Sequence, residues 1–122
     1  MDTVVLVIQL VIAFSLLLVW LVRANRETGY RGGDAKNMKE EFAVYGLPYW
    51  FMIGIGILKV GFAVLLIVGI WVPSLTLISA IAIAVLMAGA LSMHIRVRDP
   101  FRKSLPALSL LVLSIVIILY SL

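Results

Sequence analysis

Residues 50–71 read WFMIGIGILKVGFAVLLIVGIW, and Lys59 is the only charged residue in this stretch. At about 1.5 Å per residue, a helix of this length crosses the roughly 30 Å hydrocarbon core of a bilayer. In lipid only helices and closed barrels satisfy every backbone polar group. The stretch therefore predicts a transmembrane helix, and with it an integral membrane protein.

Three other apolar stretches are long enough to cross a bilayer, at about residues 4–22, 75–93 and 106–122. The composition agrees, because 64% of the residues are hydrophobic and 13% are charged, whereas a soluble domain is about 45–50% apolar and about 25% charged. Four spans of this length cannot close a barrel. The predicted fold class is therefore all-α, an integral membrane antiparallel four-helix bundle forming a single domain over residues 1–122.

The ends of the spans carry local signals. A charge-free turn at residues 72–74 makes the second and third spans antiparallel neighbours. Asp2 or Thr3 is expected to cap the first span. Pro106 is expected in the first turn of the last span, where its missing N–H costs nothing.

The distribution of charge predicts the orientation. All of the ten basic residues except Lys59 fall within residues 23–39 and 96–103. The protein is predicted to span the inner (plasma) membrane of the cell. Because basic loops stay in the cytoplasm, loops 23–49 and 95–105 are predicted to be cytoplasmic, and both termini are predicted to lie on the outer side of that membrane. The positive charge is expected to contact anionic lipid headgroups of the bilayer, and no nucleic acid.

The first basic loop contains its own helix signal. Asn37 followed by Glu40 fits a capping box, which predicts a short interfacial helix over residues 37–46, between the first and second spans. Its apolar face is predicted to carry Met38, Phe42 and Tyr45, and its polar face Lys39, Glu40 and Glu41. Aromatic residues at the predicted membrane interfaces are Trp20, Tyr49, Trp50 and Trp71.

Lys59 is the strongest functional signal. It lies nine residues after Trp50, about 14 Å into the membrane, where a charge costs about 2.5–3.5 kcal/mol on insertion scales. Lys59 is either a tolerated lysine facing protein or a contact for a ligand, proton or partner. Its candidate polar neighbours are Gln9, in the first span, and Glu41, which reaches it only if the loop helix enters the bundle.

His94, the only histidine, ends the third span, and Met87 shares its helical face. The two residues are candidates for a groove at this end of the bundle, with Trp50 as a further contact at the interface. The alternative for His94 is a hydrogen bond to a carbonyl or headgroup. With one histidine and no cysteine, the chain by itself is predicted to have no metal site and no dithiol relay, although a symmetric oligomer could supply two histidines.

The segments EEFAVYGLPYW (40–50), GILKVGFAVLL (56–66), LMAGA (86–90), HIRVRD (94–99) and SLPA (104–107) follow one another in a recognisable order. Together they resemble the DoxX-like family of small four-helix bacterial membrane proteins. The matching positions are Glu41, Phe42, Gly46, Pro48, Lys59, His94, Asp99 and Pro106. The resemblance implies a four-helix membrane bundle. Some members of the family are described as subunits of quinone-linked sulfur oxidoreductases, others as partners of redox enzymes, and a distant animal branch assists receptor assembly.

These observations favour an accessory or ligand-binding membrane subunit that holds a lipid-like or quinone-like molecule, or a partner helix, near Lys59. The candidate cofactor is a quinone. The alternatives are a subunit of a quinone-linked oxidoreductase, and an assembly factor or small transporter, in either case with a partner protein or as a homo-oligomer. No residue is predicted to be catalytic, and the lack of cysteine or a haem or flavin motif disfavours electron transfer by this chain alone.

Overall fold

The computed structural model describes residues 3–24 and 30–121, and every regular element within these ranges is helical. The elements are α1 (Thr3–Leu17), which continues as a π-helical segment (Leu18–Val22), α2 (Met38–Val44), α3 (Tyr49–Val68), α4 (Pro73–Arg96) and α5 (Phe101–Ser121). Asp2, Arg26 and Leu122, which entered the predictions of the cap, the basic loop and the last span, lie outside the described residues.

Four helices are long and apolar enough to cross a membrane: α1 with its π-helical extension, α3, α4 and α5. This confirms the all-α, four-helix membrane bundle. Both α1 and α4 pack against α3 and α5, so α1 and α4 are diagonal to each other. The end of the bundle that carries residues 30–48 and 96–103 is called the basic end, and the end that carries the turn at 69–72 is called the neutral end.

The neutral half of the bundle is closely packed. Its centre is formed by fully buried side chains, which include Ile12, Leu66, Ile83 and Ile117. Ala63 and Ala80 are also fully buried, and small residues of this kind let membrane helices approach one another closely. At the turn, a Cβ on Gly69 would collide with Thr76, so a glycine is required for α3 and α4 to meet there.

The last helix does not begin at Pro106, as predicted, but at Phe101, and Pro106 lies inside it. The connection ends instead at Pro100, whose carbonyl accepts a hydrogen bond from the Lys103 N–H at 3.0 Å. A proline within a helix leaves one carbonyl without its helical donor, which membrane helices tolerate when neighbouring groups compensate. The proline nearest the start of the apolar run was therefore the wrong marker of the helix start.

Helix α2 has the predicted cap. The Asn37 side chain accepts a hydrogen bond from the Glu40 N–H at 2.8 Å, and the chain turns away at Gly46, where φ is +77°. The prediction that Glu41 belongs to the polar face is wrong, because Glu41 is only 8% exposed. At about 3.6 residues per turn, position 41 shares a face with Met38 and Tyr45. That face packs onto the basic ends of the long helices.

Candidate ligand-binding cavity at the basic end

The basic half of the bundle contains a partly open cavity of about 560 Å³. This volume is within the roughly 300–1,000 Å³ range of small-molecule sites. All four long helices and α2 contribute to its wall, which is largely apolar. The wall includes Leu16 of α1, Ile55 of α3, Met87 of α4 and Leu110 of α5.

Lys59 of α3 forms part of this wall and is partly buried. Its ammonium nitrogen lies 5.3 Å from the centre of the Trp20 ring, a cation–π distance. Gly56 makes this contact available, since a Cβ there would lie 2.8 Å from the Trp20 ring. Among the described residues, no carboxylate forms a salt bridge with Lys59.

Trp20 belongs to the π-helical segment at the end of α1. The Arg23 N–H donates to the Leu18 carbonyl at 3.0 Å, the i to i−5 bond that defines this geometry. π-Helical turns are rare, and those within α-helices are frequently located at functional sites. The chain beyond it is tied to α2, because the Met38 N–H donates to the Ala24 carbonyl at 2.7 Å.

A first polar cluster, the Glu41 cluster, consists of Arg31, Gly32, Glu41 and Tyr45. The Glu41 carboxylate accepts hydrogen bonds from the Arg31 guanidinium (3.0 Å), the Gly32 N–H (3.1 Å) and the Tyr45 hydroxyl (2.7 Å). Burial, followed by the charge of Glu41, raises the pKa of Tyr45 far above its usual value. The Arg31 guanidinium also donates to the Arg23 carbonyl at 2.6 Å, so each partner of the buried ion pair is held by a further hydrogen bond, as buried charges require.

A second polar cluster, the His94 cluster, consists of Gly33, His94, Asp99 and Lys103. The Asp99 carboxylate lies 2.7 Å from His94 Nδ1 and accepts a hydrogen bond from the Gly33 N–H at 2.9 Å. The Lys103 ammonium donates to the Gly33 carbonyl and is 4.0 Å from Asp99. The Tyr45 and His94 rings, whose centres are 5.9 Å apart, join the two clusters.

Together the two clusters hold residues 30–33 and α2 over the basic end of the cavity. Both glycines of this loop are needed. A Cβ on Gly32 would lie 2.5 Å from the Tyr45 ring, and Gly33 has a φ of +55°. The cavity therefore has apolar walls and a roof whose charged groups are already bonded to one another.

The structure brings four of the predicted site residues to this one cavity: Lys59, His94, Glu41 and Met87. Glu41 reaches it because α2 does pack onto the bundle. Whether any of the four binds a ligand stays a prediction.

Gln9 and Trp50 do not join them. Gln9 lies in the neutral half, where its amide donates to the Leu66 carbonyl and to the Thr76 hydroxyl, both at 3.2 Å. Because α1 and α3 are antiparallel, the position opposite Gln9 is Leu66, about 10 Å along α3 from Lys59. Trp50 is 74% exposed, packs edge-on against Phe51 and does not line the cavity.

Residues of the site that sequence reasoning missed include Trp20, Arg31 and Asp99. Trp20 was assigned to an aromatic belt, and its contact with Lys59 crosses between helices that are far apart in sequence. Arg31 was counted only as a topology charge. Asp99 was noted as part of a family pattern, and its five-residue separation from His94 was the available signal.

Within the part of the chain that the structure describes, no group of three histidine, cysteine or acidic side chains is placed to hold a metal ion. The arrangement suits the binding of an amphipathic molecule, with the apolar part against the walls and the polar part at Lys59 or beneath the roof.

The fold and the cavity define a small multi-pass membrane protein, built as a four-helix bundle around a candidate binding site. The chain belongs to the DoxX-like family, whose sequence model matches residues 4–117. It is 34% identical over 96 residues to the Uncharacterized protein YdgD of Bacillus subtilis (strain 168), which covers 74% of this chain and 84% of that protein. No solved structure matches the chain significantly.

Proposed function

We propose that the protein is a ligand-binding membrane subunit, which holds one lipid-like or quinone-like molecule in the cavity beneath α2. The proposal is carried by the position of Lys59. This residue lies in the wall of a largely apolar cavity of about 560 Å³, and it has no salt-bridge partner among the described residues. Small-molecule sites are typically apolar hollows with a few placed polar groups. An ionisable residue at membrane depth is a functional candidate by default.

The two polar clusters support the same role. Glu41 is engaged by Arg31 and Tyr45, and Asp99 by His94 and Lys103. These groups hold the roof in place, so they serve as structure and leave Lys59 to meet the polar end of a ligand.

The orientation is part of the proposal, with the basic end in the cytoplasm. The chain has no cysteine, so single cysteines can report accessibility. Ser74→Cys, exposed at the neutral end, should react with a membrane-impermeant maleimide in intact cells. Asp34→Cys, exposed at the basic end, should react only after permeabilisation. The opposite labelling pattern would show that the basic end lies outside the cell and would contradict the proposed orientation.

Native mass spectrometry of the protein in lipid nanodiscs tests whether the cavity is occupied. Ala90 lines the cavity and is partly buried, so Ala90→Trp should fill it. Ala88 is exposed and lies off the cavity, which makes Ala88→Trp the matched control. The wild type and Ala88→Trp should retain a small-molecule mass that Ala90→Trp loses.

A wild-type protein without bound small molecule, or equal occupancy in both variants, would contradict the proposal. A bound mass of protein size, lost in Ala90→Trp, would instead assign the cavity to a partner's helix. The same spectra give the number of copies in the assembly.

A further inference from the structure

We infer that the ligand is an anion: a single-chain amphiphile, dissolved in the membrane, whose negatively charged head group pairs with Lys59. This inference rests on the proposed function and narrows it, because a quinone or another neutral lipid would not satisfy it.

The charge of the cavity wall points to an anion. Four basic side chains line the cavity (Arg23, Arg31, Lys59 and Lys103), against one acidic side chain, Glu41, which leaves a formal charge of +3 with His94 neutral. Counting Asp99, which pairs with His94 at the edge of the cavity, still leaves +2. A low-dielectric cleft with an excess of positive charge concentrates negatively charged ligands.

The pairing within the wall shows where the head group belongs. The Arg31 charge is met by Glu41 at 3.0 Å, and Lys103 lies 4.0 Å from Asp99. Among the described residues Lys59 forms no salt bridge, and its ammonium lies over the face of the Trp20 ring, whereas the remaining basic residue, Arg23, is exposed. A charge-assisted hydrogen bond to an anionic oxygen would complete the environment of Lys59, and such bonds are about twice as strong as neutral ones.

The shape of the cavity points to the bilayer as the source. Three residues of α4 line the cavity and are also exposed at the surface of the bundle: Val85 (67% exposed), Gly89 and Ser92. A Cβ on Gly89 would meet open space, whereas at the neutral end of the same helix pair a Cβ on Gly69 would collide with Thr76. The cavity is thus open to the outside of the bundle along α4, and its volume suits one acyl chain better than a two-chain phospholipid.

Trp20 provides a probe at the proposed head-group site. Trp50 and Trp71 are 74% and 75% exposed, so replacing both with Phe leaves Trp20 as the only tryptophan of the three in the chain. This protein is placed in vesicles of neutral phosphatidylcholine and titrated with dibrominated stearate or with the matched dibrominated stearyl alcohol. Bromine quenches tryptophan fluorescence on contact.

The carboxylate should quench Trp20 saturably, with half-saturation at least about tenfold below that of the alcohol. Lys59→Met should remove this preference, and Lys59→Arg should keep it. Ala90→Phe should remove the saturable component and leave only the linear quenching from bulk lipid. Competition by unbrominated stearate and by a single-chain phosphate monoester then shows whether the site prefers a carboxylate or a phosphate head group.

The quenching results distinguish failure of the anionic ligand from failure of ligand binding in the cavity. Saturable quenching of equal strength by carboxylate and alcohol, unchanged in Lys59→Met, would overturn the anionic ligand and leave cavity binding intact. A lack of saturable quenching by either probe would overturn both.

Discussion

The two halves of the bundle use the same four helices and reach opposite results. In the neutral half, Leu66 and Ile83 are fully buried, and glycine and alanine bring the helices together. In the basic half, the walls stand apart around about 560 Å³ and a short helix closes the end. The apolar character of the helices thus does not determine whether a membrane bundle is closely packed or contains a cavity. The size of the side chains between the helices determines how closely the helices approach one another.

The polar groups of the two halves also differ in kind. In the neutral half, uncharged groups such as Gln9 and Thr76 connect helices by hydrogen bonds. In the basic half, buried charges such as Arg31 and Glu41 are paired within the roof, and Lys59 faces the cavity. Neutral bonds of this type add little stability in membranes, whereas breaking a buried ion pair is costly.

The largest effect is expected at the roof. Glu41→Gln should reduce the free energy of unfolding by about 3–5 kcal/mol, because it leaves the buried Arg31 guanidinium without its counter-charge. Glu40→Gln is the matched control. Its exposed side chain caps α2, and the amide can keep that role, so a change within about 0.5 kcal/mol is expected. Chemical unfolding in detergent measures both, and equal losses would show that the Glu41 cluster does not hold the roof.

The solid and hollow halves should differ in their response to truncation. Ile83→Ala, in the packed half, should cost about 2–5 kcal/mol because it creates a void. Ile55→Ala, where the side chain is partly buried and already borders the cavity, should cost less than about 1 kcal/mol. Unfolding of the two variants under one set of conditions is the measurement. Similar losses would mean that the cavity wall is packed as tightly as the core.

The roof should also weaken in alkali. Burial and Glu41 raise the pKa of Tyr45, so the fold favours the protonated hydroxyl. Its contribution to stability is complete below about pH 10, the unfolded pKa of tyrosine, and is lost as the pH rises above that value. Tyr45→Phe should cost about 1.5–3 kcal/mol near pH 8, since a hydrogen bond to a charged group is lost.

Unfolding of the wild type and of Tyr45→Phe near pH 8 and near pH 11 gives the comparison. Because all other groups titrate in both proteins, the gap between the two should narrow at the higher pH. A constant gap would show that Tyr45 does not couple the roof to pH.

The smallest effect is expected in the neutral half. A double-mutant cycle of Gln9→Leu and Thr76→Val should give a coupling of about 0.6 kcal/mol, the average for hydrogen bonds between membrane helices. Ser114 is the control, because its hydroxyl bonds to the Leu110 carbonyl of its own helix at 2.8 Å. Coupling of Gln9→Leu with Ser114→Ala should be near zero. A coupling energy above about 2 kcal/mol between Gln9 and Thr76 would show that neutral contacts stabilise this bundle as strongly as charged ones.

Local patterns predicted much of the fold. The four spans follow from hydropathy, and the Asn37–Glu40 cap of α2 follows from a signal only three residues apart. The errors arose where two local signals competed. Pro106 was preferred to Pro100 as the start of α5, and Glu41 was grouped with its charged neighbours although its helical position placed it with Met38.

The sequence by itself determined that this is a four-span membrane protein, that α2 is a separate short helix and that Lys59 is anomalous, because hydropathy, capping and depth are properties of a continuous segment. Only the tertiary structure decided that Lys59 meets Trp20 and not Gln9, and that Glu41 and His94 close the same cavity. These contacts depend on the relative position and rotation of helices that are distant in sequence. That arrangement is determined by side-chain packing across the whole bundle.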